Sequence, residues 1–304
     1  MSDEKSSDVS AVDSFLREVA AVSGPEGGEC PTLPLSAGDV LSERFVVERL
    51  AGSGGMGAVY RATDRGTGAP VAVKVMARHS VQDSARFARE AIVLAELSHP
   101  AIVRYIDHGT SGDTPFLVME WLEGEDLSRR LARSGLGADE SLGLVRRACE
   151  GMAMAHARGV VHRDLKPSNL FLVGGDAITT KVVDFGVARV DAGAQTLTRA
   201  GTVLGTVGYM APEQAMSAMD VDARADIFAL GCVLFECLTG RPAFAGPQPA
   251  VALMRLLKTQ PPPVSQGRPG LPEALDRLVL RMLAKDRSDR PRDVAEVISA
   301  LDAL

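Results

Sequence analysis

The chain has 304 residues, 46% hydrophobic and 24% charged, an ordinary soluble globular composition that excludes disorder and a collagen-like fibre. Its 33 basic residues against 39 acidic ones give a formal charge of -6, which argues against gripping nucleic acid through a general positive field. Four cysteines, Cys30, Cys149, Cys232 and Cys237, form no C-x-x-C pair and have no Cys/His ligand spacing, so reduced thiols are expected rather than a zinc site or disulfides.

In chain order, residues 1–43 are rich in Ser, Asp, Glu, Gly and Pro and read as a mobile tail. The start is acidic and no apolar run with a small-residue cleavage site follows, so export is not expected. From Arg44 the pattern changes to short β-branched runs, Arg44–Leu50, Gly57–Ala62 and Pro70–Met76, separated by glycine groups; three sequential antiparallel strands follow from this. Residues 83–97 place Phe87, Ile92, Val93, Leu94 and Leu97 at amphipathic helical spacing, ended by His99-Pro100. Strand candidates at Ala101–Ile106 and Pro115–Glu120 then give way to longer helical segments at residues 139–158, 223–239, 273–284 and 292–304. The most apolar stretch, Ile227–Gly240, contains Glu236 and falls short of the roughly 20 apolar residues that span a bilayer, so a buried helix is expected and no membrane insertion. The fold class is therefore α+β, a small sheet-rich lobe before a larger helical one.

Basic residues are skewed, 27 Arg against 6 Lys, and Asn occurs once, at Asn169, so each Lys and the one Asn carry information. The first strand pair is joined by Gly52, Ser53, Gly54, Gly55, Met56, Gly57, Ala58 and Val59, the pattern G-x-G-x-x-G-x-V. Such glycines let backbone N–H groups approach phosphate oxygens, and they serve a flexible hairpin equally well. The loop leads into a strand, whereas a dinucleotide-binding fingerprint opens a helix. Lys74 ends the apolar strand Val71–Lys74, and Glu90 lies on the amphipathic helix within reach of an ion pair with it.

The segment Val160–Asn169 contains H-R-D-x-K-P-x-N, and Val183-Asp184-Phe185-Gly186 follows 20 residues after Asp164; Ala211-Pro212-Glu213 and a D-x-x-x-x-G run from Asp226 to Gly231 come next. With these motifs the chain, from about Arg44 to Leu304, resembles the protein kinases, and its wording is most similar to the bacterial eukaryotic-type serine/threonine kinases. The resemblance implies a two-lobed fold, with an N-lobe at about 44–119, a hinge at 120–123 and a C-lobe at 124–304. It implies ATP and Mg²⁺ as cofactors, with Mn²⁺ as a substitute, and the following roles. Gly52, Gly54 and Gly57 cover the phosphates, Lys74 contacts them, and Glu90 orients Lys74. Asn169 and Asp184 hold the metal. Asp164 accepts the proton of the acceptor hydroxyl and Lys166 stabilises the transferring phosphoryl group. Val59 and Ala72 lie above the adenine with Phe171 below, the backbone from Glu120 to Leu122 binds its edge after Met119, and Asp126 reaches the ribose. Asp226 supports the catalytic loop, and Glu213 with Arg290 forms a buried brace.

Lys166 two residues after Asp164 resembles the serine/threonine kinases rather than the tyrosine kinases, and Thr206 resembles their threonine beside the acceptor site, so the resemblance implies serine or threonine on protein substrates as acceptor. Arg163 before Asp164, joined by Arg189, implies a phosphorylated activation-loop partner, with Thr198 and Thr202, then Thr196, as the autophosphorylation candidates. A cytoplasmic location and a homodimer through the N-lobe belong to the same resemblance. A pseudokinase would have lost Lys74, Asp164 or Asp184, and a small-molecule kinase of related fold would lack the A-P-E segment and the activation loop. All of these are present.

Overall fold

Alternation of apolar residues along the first strands builds the small lobe. A computed structural model describes residues 35–54, 57–76, 94–112, 114–185, 207–216 and 220–304. Val40–Leu41 (β1), Phe45–Gly54 (β2), Gly57–Asp64 (β3), Pro70–Met76 (β4), Tyr105–Ser111 (β5) and Thr114–Glu120 (β6) form a six-stranded antiparallel sheet ordered β1-β2-β3-β4-β6-β5. On one face Ala58, Tyr60 and Ala62 of β3 and Val71, Val73 and Val75 of β4 close a core with Phe45, Val47, Phe116 and Val118. The intervening residues face the second lobe, where register pairs Val59 with Lys74 and Ala72 with Met119. The sheet takes in β1, and Leu35 packs against its core, so ordered chain precedes Arg44.

The three strands expected from Arg44 onwards are present, while the strand expected at 101–106 starts at Tyr105 instead. Ala101, Ile102 and Val103 are buried, with Ile102 bridging Val182 and Val103 donating its N–H to the Val182 carbonyl, so this stretch ties the lobes together. Of the helix expected at 83–97, residues 83–93 lie outside the described residues.

The second lobe contains Leu127–Arg133 (α1), Ala138–His156 (α2), Pro212–Ala215 (α3), Arg224–Thr239 (α4), Pro249–Lys258 (α5), Val264–Gly267 (α6), Glu273–Met282 (α7) and Val294–Asp302 (α8). Gly124–Asp126 (β7), Leu170–Val173 (β8) and Thr180–Val182 (β9) form a small antiparallel sheet beside the cleft. Helix α4 is buried on nearly every side and packs against α2 and α7, as the apolar residues around its whole circumference require. Burying Ile227, Phe228, Leu230, Val233 and Leu234 contributes about 1.5–3 kcal/mol per side chain before chain entropy is counted. A Cβ on Gly231 would sit 2.9 Å from the Met282 Cβ, so this glycine sets how closely α4 approaches α7. Gly240, at φ 70°, ends the helix. Among the described residues no helix is long and apolar enough to cross a membrane.

Candidate active site

Two non-glycine residues with left-handed backbone mark the cleft, Arg163 at φ 64° and Asp184 at φ 58°. Such conformations cost about 1–3 kcal/mol each and persist only where neighbours hold them. For Arg163 the holder is Asp226, 1% exposed near the start of α4. Its Oδ2 accepts the His162 N–H at 2.8 Å and its Oδ1 the Arg163 N–H at 2.9 Å, while His156 Nε2 donates to Oδ2 at 2.8 Å. On the other side, Gln214 Nε2 donates to the Arg163 carbonyl at 2.8 Å. Both sides of the strained residue are therefore tied to the helical lobe.

His162 connects this loop to the D-F-G segment. Its Nδ1 accepts the Asp164 N–H at 3.3 Å, which assigns the proton to Nε2, the donor to the Val183 carbonyl at 3.0 Å. The imidazole lies 4.7 Å from the Phe185 ring, and the Val183 N–H donates to the Asn169 carbonyl at 3.0 Å. Asn169 and Asp184 are thereby held on two stitched segments.

Asp164, Lys166 and Asn169 form one bonded group. Lys166 Nζ is 3.0 Å from Asp164 Oδ2, and Asn169 Nδ2 donates to the Asp164 carbonyl at 2.8 Å. With its amide nitrogen committed to Asp164, Asn169 keeps Oδ1 as an oxygen donor, 3.4 Å from Ser168 Oγ. Lys74 Nζ reaches Asp184 Oδ1 at 2.8 Å. One amide and one carboxylate oxygen fit a small hard cation that keeps water and phosphate oxygens in its shell. Among the described residues there is no cluster of three or more His, Cys, Asp or Glu that could hold a metal ion.

Above this group the β2–β3 hairpin turns through Gly54 and Gly57, with Gly52 and Ser53 on its first strand and Gly55 and Met56 outside the described residues. Gly57 has φ 136°, and a Cβ there would fall 2.0 Å from the Val75 carbonyl oxygen, so the hairpin hugs β4 only with glycine at this position. Val59, Ala72 and Lys74 share the cleft face of the sheet. Glu120 closes β6; its Oε1 accepts the Arg104 N–H at 2.8 Å and pairs with Lys181. Leu122 is half-buried against the larger core, and Phe171 sits on β8 opposite Asp126 and Lys181. Asp126 caps α1, accepting the Arg129 N–H at 3.1 Å, so the residue expected at the ribose has a second, structural employment. Glu90, Arg189, Thr196, Thr198, Thr202 and Thr206 lie outside the described residues.

Below the loop, Arg290 Nη1 and Nη2 each donate to Glu213 at 2.8 Å, and its remaining donors reach the carbonyls of Ala284, Arg224 and Lys285. A cavity of about 740 Å³ opens beside Lys166, lined also by Ser168, Leu131, Tyr209, Glu236 and Arg268. Tyr209 donates its hydroxyl to Glu236 at 2.5 Å, and burial holds the Glu236 carboxyl above its ordinary value. Sequence reasoning missed Gln214, Tyr209, Glu236 and Trp121 as contributors. Of these Trp121 carried a signal, as the sole tryptophan of the chain.

Comparison with known proteins agrees with this arrangement. Residues 45–300 match the protein kinase domain. The chain is 40% identical over 274 residues to the serine/threonine-protein kinase pkn2 of Myxococcus xanthus, covering 87% of this chain and 33% of that protein. It is 37% identical over 265 residues to PknB of Mycobacterium leprae, covering 84% and 42% respectively, so it spans about a third to two-fifths of these relatives' length. The crystal structure of the Mycobacterium tuberculosis PknI kinase domain superimposes with a TM-score of 0.70 at 28% identity, covering 89% of this chain and 99% of that one. A two-lobed fold, the bonded Asp164–Lys166–Asn169 group and a match over residues 45–300 together place the chain in the protein kinase family.

Proposed function

We propose that the chain transfers the γ-phosphoryl group of ATP to serine or threonine hydroxyls of proteins. The observation that carries this is the Asp164–Lys166–Asn169 group facing a cleft that also presents Lys74 and Asp184. Phosphoryl transfer needs positioning and charge neutralisation more than covalent chemistry from the protein, and these residue types supply both.

Asp164 takes the proton of the acceptor hydroxyl as its oxygen bonds to the γ-phosphorus and the bond to the β-phosphate oxygen breaks. Lys166, 3.0 Å from Asp164, is placed to meet the charge on the transferring group. Asn169 and Asp184 hold Mg²⁺, or Mn²⁺ in its place, which supplies charge neutralisation to the phosphates when bound. Lys74 exchanges part of its contact with Asp184 for phosphate oxygens and for Glu90, and Gly52, Gly54 and Gly57 close over them. Val59, Ala72 and Phe171 enclose the adenine, and Asp126 takes the ribose. The cavity beside Lys166 receives residues flanking the acceptor.

The names of the relatives, serine/threonine kinases of bacteria, support the acceptor class, and a role in signalling from the cytoplasm belongs to the same reading. Autophosphorylation at Thr198 or Thr202, with Thr196 as a third acceptor, would present a phosphate to Arg163 and Arg189, and pairing of N-lobes into a homodimer would bring one chain's loop to another's cleft. Incubation with γ-labelled ATP and Mg²⁺, beside Asp164→Ala, tests the reading: label on serine or threonine in the wild type, with turnover about 10²- to 10⁴-fold lower in the variant, is expected. Equal labelling of both would remove Asp164 from its role, and phosphopeptides lacking phosphate from Thr196 to Thr206 would overturn the autophosphorylation sites.

A further inference from the structure

Trp121 stands between Glu120 and Leu122, the residues assigned to the adenine edge. The guanidinium carbons of Arg49 and Arg61 both lie 5.6 Å from its ring centroid, within the range of cation–π attraction. Its indole N–H donates to Glu123 at 2.6 Å, so the ring is fixed to the connector between the lobes. Arg49 and Arg61 are cross-strand partners on β2 and β3, a placement that two like charges disfavour. Two neighbours offset the repulsion: the Trp121 ring, which attracts both, and Glu48, which pairs with Arg61.

The position of this contact suggests its use. Between Arg49 and the glycine hairpin, the β2–β3 register shifts at Leu50/Gly52. Such an irregularity bends and twists a ribbon, which makes it the pivot from which the hairpin beyond it takes its direction. Holding Arg49 and Arg61 against Trp121 fixes the near side of that pivot to the segment that binds the adenine edge. We propose that Trp121 with Arg49 and Arg61 is a positioning device that sets the glycine hairpin over the nucleotide, so that affinity for ATP depends on it. This rests on the reading of the cleft as an ATP site.

Steady-state kinetics with varied ATP at fixed peptide, beside calorimetric ATP binding, would test it on Arg49→Met, Trp121→Leu, Trp121→Phe and the Arg49→Met/Trp121→Leu pair. Loss of the contact should raise KM for ATP about three- to tenfold, more than it alters kcat, in Arg49→Met and Trp121→Leu. Trp121→Phe keeps an aromatic face and should stay within about twofold of wild type. The double variant should be no weaker than Trp121→Leu alone, because that substitution already removes both cation–π contacts and leaves the Arg49 change none to remove. Arg49 is exposed, so its variant carries the test if Trp121→Leu folds poorly. As the only tryptophan, Trp121 should also change its emission on ATP binding. Unchanged KM for ATP in Arg49→Met, or additive losses in the pair, would overturn the proposal while wild-type ATP binding leaves the kinase reading standing. Failure of the wild type to bind ATP would overturn both.

Discussion

Asp226→Ala is the most informative single perturbation, because one buried carboxylate holds the strained residue beside the proposed proton acceptor. Removing it leaves the His162 and Arg163 N–H groups without their acceptor and His156 without its partner. Unpartnered buried donors cost about 1–3 kcal/mol each, and relaxation of the left-handed Arg163 returns part of this, so a net loss of about 3–4 kcal/mol is expected. For a domain of this size that lowers the melting temperature by about 6–15 °C. Asp226→Asn keeps one acceptor and turns an amide against the other donor, so roughly half the loss is expected. Release of Arg163 also shifts the neighbouring Asp164, and a displacement near 1 Å lowers kcat by about 10²-fold. Urea unfolding gives the stability change, amide hydrogen exchange at His162 and Arg163 its location, and initial rates its catalytic effect. A loss under about 1 kcal/mol, with both amides still protected, would refute the reasoning.

Glycine substitutions should separate sharply: Gly57→Ala meets the Val75 carbonyl at 2.0 Å and costs at least about 2 kcal/mol, whereas Gly52→Ala enters open space and stays within about 1 kcal/mol by the same unfolding assay. Arg290→Met strands the buried Glu213 carboxylate and should cost about 3–5 kcal/mol, with Glu213→Leu in the same chain restoring part of it; equal losses in single and double variants would contradict the pairing. Lys285 tests the electrostatics of the helical lobe, since burial lowers its ammonium from 10.5 to about 8. The folded state then disfavours the charged form, a penalty complete below pH 8 and relieved as pH rises towards 10.5. The Phe244 ring, 3.8 Å from Nζ, returns part of it. Lys285→Met should therefore be more stable than wild type by about 1 kcal/mol at pH 7, with the gap closing towards pH 10; a variant no more stable at pH 7 would count against this.

What the sequence by itself determined is local. The H-R-D-x-K-P-x-N and D-F-G segments carry the resemblance to the protein kinases, and the short spacing of Asp164, Lys166 and Asn169 lets one loop bring them into contact. Short β-branched runs between glycine groups read β2, β3 and β4, and the apolar stretch of α4, with Glu236 as its one charged residue from Ile227 onwards, announced a buried helix. Elements with weaker local signals, α1, α5 and the β7–β9 sheet, went unread, because their stability comes from the core they cover. The misplaced strand at 101–106 has the same origin: its apolar residues are spent on a bridge to Val182 rather than on a sheet face.

Only the tertiary structure decided which partners these residues take. Asp226 reaches His162 and Arg163 across more than sixty residues of chain, Lys74 meets Asp184, and Trp121 collects two arginines from strands that precede it. A motif fixes residue types over a few positions, but a hydrogen bond or ion pair depends on where packing places distant backbone. For that reason the family was legible from the residues, and the contacts that hold the motifs in register were legible only from the fold.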